Sequence, residues 1–399
     1  MDCVRGYDYL PTPYLYKEKN MNKRLTFFLL TLIAVFSLAL SACGTAATPT
    51  EAPVAPTAAV SAPTEVPAPT TAAPTTAPTV APTAAPTAVP PVCDKLSDAP
   101  AAPAAGQLGA SDTPITIAFV PSGESGTIAT ASSAIADCLN KMTGLNYTIQ
   151  TGTSYAAAIE AMGAGKAQVG FLNTFSILAA QAKYGIIPAL INLRNYSTND
   201  LDKDKALGGQ LEPFYKGQFI AGAGTGIKTL ADLKGKTFCF VDPLSTSGYI
   251  VPRIILKANG IDPDTDFKAT QNAGSHPNVA IAVYKGDCDA GVTYINVLTD
   301  KSANLAATYP DITTKVVVFA VTDRIPNDGV QYIKTFDPKL QAITTEALLA
   351  MAKDPGGKAV LGKLYTINAF QQIDKSFTMY SDFNAVLKKA GVDPASLIK

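Results

Sequence analysis

The sequence predicts an α/β protein of two doubly wound lobes joined by two crossing strands, with C-terminal helices against lobe one. Three observations carry this. From Ile115 onward, short apolar runs alternate with helix-length segments, which implies parallel sheets with right-handed crossovers. The pattern returns 121 residues later without a gap. Two further strand-like runs, Phe214–Gly224 and Gly329–Lys334, supply one passage in each direction between the repeats.

The folding part begins near Cys93. Before it, Met21-Asn-Lys-Arg is a short positive segment, and Leu25 to Leu40 carries no charge. That run is short of the roughly 20 apolar residues a spanning helix needs and suits a signal peptide over 21–43. Leu40-Ser-Ala-Cys43-Gly resembles a lipobox, in which Cys43 is acylated. An ordinary signal peptide or an uncleaved anchor is the alternative. Residues 1–20 have no place in this scheme and read as a start assigned too early. Twelve of the 29 prolines lie between Pro49 and Pro91, so residues 44–92 read as a disordered Pro/Thr/Ala tether that cannot bury a core. The expected localisation is exported and membrane-anchored on the extracytoplasmic side.

The chain carries 32 basic and 32 acidic residues. Five of each precede Cys93, leaving 27 of each on the folding part. Nucleic-acid binding by counterion release needs a basic face, and none is visible. Export favours disulfides. With Cys43 lipidated, Cys93, Cys138, Cys239 and Cys288 allow three pairings. Cys239 falls in the first strand of the second repeat and Cys288 at the start of its third. In a doubly wound sheet these strands are neighbours, which makes Cys239–Cys288 geometrically feasible and leaves Cys93 for Cys138.

Element by element, Ile115–Val120 reads as a buried strand, Thr127–Met142 as a helix and Asn146–Thr151 as a strand. Ser154–Met162 reads as a helix and Ala167–Leu172 as a strand. In the second repeat Phe240 and Val241 match Phe119 and Val120. Ser275 matches Ser154, Gly286 matches Gly165, and Gly291 matches Gly170. Residues 195–212 read as a surface loop and Val316–Val321 as a strand. Helices are expected around Pro338–Ala352 and Ile373–Ala390. Lobe one is assigned 93–215, lobe two 216–328, and the return with the C-terminal helices 329–399.

Ligands of open α/β sheets sit beyond the carboxyl ends of strands. There, Ser245-Thr246-Ser247 precede a helical segment, where free N–H groups and the helix dipole favour an anion. Ser245 or Thr246 could equally be a plain helix cap. Tyr155 and His276 occupy matching positions at helix starts, and a lone His could equally be a satisfied core residue. Ser122, Thr174 and Asn296 are weaker candidates. The cluster would hold its anion with donors rather than formal positive charge. Gly235-Lys-Thr237, Gly222-x-Gly-x-Gly226 and Asp262-x-Asp-x-Asp266 each fail on context as phosphate, dinucleotide or calcium loops. No cofactor is expected. One His without an evident acid partner argues against a Ser-His-Asp hydrolase.

Phe119-Val-Pro-Ser122, Leu230-Ala-Asp-Leu-Lys-Gly-Lys-Thr-Phe238, Phe240-Val-Asp-Pro-Leu-Ser-Thr-Ser-Gly-Tyr249, Ala273-Gly-Ser-His276 and Ile325-Pro-Asn-Asp328 resemble the phosphate/phosphite/phosphonate-binding proteins of ABC importers. The resemblance implies a type II periplasmic-binding-protein fold. It also implies that Ser245, Thr246 and Ser247 hold the oxygens of a small phosphorus oxyanion, with Tyr155 and His276 as further contacts. An ABC permease would receive the ligand, and the receptor is expected to be a monomer. The sequence departs from the family at Phe171-Leu-Asn-Thr-Phe175. No carboxylate stands in Thr293-Tyr-Ile-Asn-Val297, which disfavours an aminoalkylphosphonate. A sensor domain, a binder of another small molecule and an extracellular phosphoesterase are the alternatives.

Overall fold

A computed structural model describes residues 93–398. The signal segment, Cys43 and the tether lie outside the described residues. Chain order from the first sheet strand is β1 (Ile115–Phe119), α1 (Ser125–Thr143), β2 (Tyr147–Thr151), α2 (Tyr155–Gly163), β3 (Val169–Leu172), α3 (Thr174–Tyr184) and β4 (Ile187–Asn195). The crossing region holds β5 (Leu211–Glu212), β6 (Phe214–Tyr215) and β7 (Gly217–Gly222). The second repeat supplies β8 (Thr237–Phe240), α4 (Val251–Ala258), β9 (Ala269–Asn272), α5 (His276–Lys285) and β10 (Ala290–Tyr294). Two single turns, α6 (Leu305–Thr308) and α7 (Ile312–Lys315), lead to β11 (Val316–Val321), β12 (Ile325–Pro326) and β13 (Gly329–Tyr332). The end is α8 (Pro338–Met351), α9 (Pro355–Lys363), β14 (Ala369–Gln372) and α10 (Met379–Lys389).

The first sheet runs β14-β4-β13-β3-β1-β2, with β5 paired to β4; the second runs β11-β7-β10-β8-β9. In each, the three strands of the βαβαβ unit are parallel. The strand arriving from the other lobe, β13 in the first and β7 in the second, is antiparallel to both neighbours. The two sheets therefore share one strand order. The passages meet in a short antiparallel ribbon, with Phe214 opposite Pro326 and Tyr215 opposite Ile325.

The repeated residues have physical reasons. Ser154 and Ser275 cap α2 and α5 through their hydroxyls, which accept from the Ala157 and Asn278 N–H groups. Gly170 and Gly291 lie under those helices. A Cβ at Gly170 would collide with Met162, and one at Gly291 would come within 2.6 Å of Val279. Helix α1 buries Ile128, Ala131, Ile135, Leu139 and Met142, a stripe of helical period. Helices α8 and α9 pack against α1, so the C-terminal helices sit on lobe one. Cys93 is bonded to Cys138 and Cys239 to Cys288, with Cα–Cα separations of 5.2 and 5.9 Å.

Among the longer elements, α3, β4, α9 and β14 do not follow from the sequence pattern. Helix α3 is buried from Thr174 to Ala180 without interruption, so no polar face marks a helical period. Strand β4 contains Pro188, which ordinarily argues against an interior strand. It is accommodated opposite Gln331, where the register with β13 shifts. The expected strand over Phe214–Gly224 breaks at Lys216. The Lys216 ammonium is buried between Asp202 and Asp204, at 2.6 and 2.8 Å.

Candidate functional site

A cavity of roughly 210 Å³ lies between the lobes and is walled by loops from both. Ser122, Tyr155, Ser245, Thr246, Ser247, His276 and Asn296 all line it. Each stands at or just beyond the carboxyl end of a strand, or opens the helix that follows.

Ser245 begins a single π-type turn, Thr246–Ile250, that runs into α4. Its hydroxyl accepts the Gly248 N–H at 3.2 Å. Capping and cavity lining are thus one arrangement: Ser245 caps with its acceptor and keeps its proton. Gly248 is required, because a Cβ there would meet Val241 and lie 2.8 Å from Ser245 Oγ. Tyr215 donates to Ser247 Oγ at 3.3 Å. Thr246 Oγ1 accepts from Asn173 Nδ2 and from the Phe175 N–H, both at 2.9 Å. All three side chains are buried.

His276 opens α5. Its Nδ1 accepts the Tyr294 N–H at 3.0 Å, and its Nε2 lies 3.4 Å from Ser245 Oγ. With Nδ1 an acceptor, the neutral ring carries its proton on Nε2. Burial lowers its pKa to about 3, so the ring is a neutral donor. Its backbone N–H reaches across to Ser122 O at 3.2 Å. Tyr155 opens α2, and its hydroxyl is buried without a hydrogen-bond partner. Burial, then the neighbouring Asp242 charge, raises its pKa well above the usual phenol range. Asn296 is held at φ 62°, a left-handed conformation rare outside glycine. Its amide already donates to Thr198 O at 2.7 Å.

Thr174 departs from expectation. It is buried, does not line the cavity, and donates to Pro326 O at 2.5 Å. One residue earlier, Asn173 takes the wall position; neighbouring residues at a helix start diverge by about 100°.

The wall also holds formal charge, contrary to the expectation of donors alone. Arg194 at the end of β4 donates to Tyr365 O, Asn327 Oδ1 and Asp328 Oδ2 at 2.7, 3.1 and 2.5 Å. Glu124, Asp300, Asp328 and Lys363 complete the charged lining. Carboxylates are therefore present although Thr293–Val297 has none. Asp300 accepts from Tyr294 Oη at 2.7 Å and Ser302 Oγ at 2.9 Å. Tyr365 and Thr366, at φ 51° and 53°, form another wall. The sequence offered a signal for Asp328, which ends a motif, but none for Arg194, Asp300 or Tyr365. Among the described residues, no group of three or more His, Cys, Asp or Glu could hold a metal ion, and no helix is long and apolar enough to cross a membrane.

Two α/β lobes of one strand order, hinged by a two-strand ribbon around a polar cavity, define a solute-binding protein of the type II periplasmic class. Residues 117–377 match the family model described as ABC transporter, phosphonate, periplasmic substrate-binding protein, and the chain belongs to that family. It is 29% identical over 240 residues to the phosphate-import protein PhnD of Mycolicibacterium smegmatis, covering 55% of this chain and 70% of that one. It is 30% identical over 156 residues to the phosphonates-binding periplasmic protein of Escherichia coli, covering 38% and 45%. Two solved structures share the fold. One is a binding component of an ABC phosphonate transporter from Pseudomonas aeruginosa, with TM-score 0.58, 20% identity, and 69% and 87% of the two chains covered. The other is PhnD1 of Prochlorococcus marinus in complex with methylphosphonate, with TM-score 0.56, 17% identity, and 69% and 98% covered.

Proposed function

We propose that this chain captures a small phosphorus oxyanion, a phosphonate, phosphite or phosphate, in the interlobe cavity and delivers it to an ABC permease. The observation that carries the reading is the Tyr155 hydroxyl, a buried donor without a protein partner, on a wall shared with three hydroxyls at a helix start. A tetrahedral oxyanion supplies the missing acceptor. Ser245, Thr246, Ser247, Tyr155 and His276 are the proposed contacts, with Ser122 and Asn296 at the periphery. Both oxygens of Asp300 and one of Asp328 are engaged by protein donors. A small anion is the proposed ligand, and aminoethylphosphonate is the comparison that tests it.

The reading extends to the whole chain. The signal segment over 21–43 is cleaved before Cys43, which becomes the lipid-bearing N-terminus, and residues 44–92 tether a monomeric receptor whose lobes are 93–215 with 329–399, and 216–328. Capture proceeds without turnover of phosphomonoesters.

A melting assay over a ligand panel tests the reading, because a ligand of the folded state raises apparent stability by mass action. Phosphite, methylphosphonate or phosphate should raise the melting temperature, and Ser247→Ala should remove most of that shift. Equal shifts in parent and variant exclude Ser247 from the site. A shift from aminoethylphosphonate larger than all three overturns the size preference.

A further inference from the structure

Two residues of the cavity wall, Tyr155 and Asn173, each carry a buried side-chain atom without a partner, Tyr155 Oη and Asn173 Oδ1. The first can donate and the second can only accept. The Asn173 amide cannot be flipped. Its Nδ2 donates to both Leu244 O and Thr246 Oγ1 at 2.9 Å, and a carbonyl oxygen there would face the Leu244 carbonyl. The hydroxyls opposite are set the other way. Thr246 Oγ1 already accepts two N–H donors and Ser247 Oγ accepts from Tyr215, so their protons are free for a ligand. The wall thus offers a group of donors and one unpartnered amide oxygen.

Charge points the same way. Glu124, Asp300 and Asp328 face Arg194 and Lys363 in the lining, an excess of one negative charge with His276 neutral. Burying a doubly charged anion there is harder than burying a singly charged one.

We infer that the cavity takes its ligand as the singly protonated monoanion, with the ligand's P–OH donating to Asn173 Oδ1. This rests on the phosphorus-oxyanion reading above. Sulfate and sulfonates, fully ionised near neutrality, have no proton to offer and leave that oxygen unpaired. Asn173 is then the residue that separates phosphorus from sulfur oxyanions.

His276, the four tyrosines of the site and Glu124 do not imitate the expected pH dependence. His276 is neutral down to about 3. Tyr155, Tyr215, Tyr294 and Tyr365 are all pushed up by burial. Backbone N–H bonds from Gly126 and Thr127 keep Glu124 low. Asp242, beside Tyr155, is raised by burial, so it is the protein group whose titration the ligand-dependent midpoint must be separated from.

Calorimetric titration of the intact chain with methylphosphonate, inorganic phosphate, methanesulfonate and sulfate, across about pH 5 to 9, tests this. Affinity for the phosphorus ligands should be level below the ligand's second ionisation and fall about tenfold per pH unit above it, with the midpoint following the ligand. The sulfur ligands should bind about 100-fold more weakly. In Asn173→Leu that ratio should collapse toward one, whatever the variant does to closure. Affinity that rises through the ligand's ionisation, or sulfate binding as tightly as methylphosphonate, overturns the inference; the parent pH profile decides even where the variant misfolds. Binding of none of the phosphorus ligands at any pH sinks the proposed function instead.

Discussion

Thr246 of lobe two caps a helix of lobe one that begins beside Asn173. Asn173 holds the N-cap position of α3, yet its side chain makes no capping bond. The Phe175 N–H, which such a cap would serve, donates instead to Thr246 Oγ1 at 2.9 Å, and Asn173 Nδ2 donates to the same oxygen. The start of α3 is thus completed across the cleft.

Thr246→Val keeps the shape and removes the acceptor, leaving the Phe175 N–H unpaired in the closed state. The lost bond is worth about 1–2 kcal/mol, so affinity for methylphosphonate should fall about 5- to 30-fold. Ligand-free melting should change far less. Titration calorimetry beside a melting curve checks this; unchanged affinity would show that the bond does not contribute to closure.

Tyr155→Phe removes a hydroxyl that has no protein partner. Stability without ligand should hold or rise slightly. Affinity should drop by about 1.5–3 kcal/mol, the usual value of a hydrogen bond to a charged group. A variant that is destabilised when empty but binds normally contradicts the assignment.

His276 makes stability depend on pH. Burial holds its folded pKa near about 3, against about 6.5 for an unfolded histidine. Between these values the unfolded chain binds the extra proton, so stability present above about 6.5 is lost as pH falls. From about pH 7 to 5 the loss should approach about 2 kcal/mol. Urea unfolding of parent and His276→Gln over that range measures it. His276 is the chain's one histidine, so parallel slopes in the two proteins would refute the burial argument.

At the hinge, Lys216 sits between β6 and β7 with its ammonium on Asp202 and Asp204, and Arg324 also binds Asp204. The Asp202 side chain is fully buried. Lys216→Met strands that carboxylate and should cost about 3–5 kcal/mol. The double change with Asp202→Asn should recover part of the loss in urea unfolding. No recovery would mean that the Lys216 stem, and not its charge, matters.

Much of the architecture could be read from residues alone. The strands β1, β2, β3, β8 and β10, the caps Ser154 and Ser275 and the paired Gly170 and Gly291 depend on neighbours close in sequence, so periodicity and spacing reveal them. Where local signal and burial conflict, as in the all-buried α3 and the Pro188 strand β4, the pattern was silent. In the cavity the same division holds. Ser245–Ser247, Tyr155 and His276 follow from the rule that loops after strands line clefts.

Legible in the residues are the repeat, the βαβαβ order of each unit, and which loops stand at the strand ends, because these follow from hydrophobic period and turn chemistry. The packing of the lobes is what sets Thr174 against Pro326 and Asn173 in the cavity wall, brings Arg194 to Asp328, and puts Asp300 and Tyr365 on the wall with Ser247. Those contacts join segments far apart in the chain, and their geometry is set by how the two sheets are packed and hinged. A side chain's partner across such a gap depends on backbone positions that no local pattern encodes.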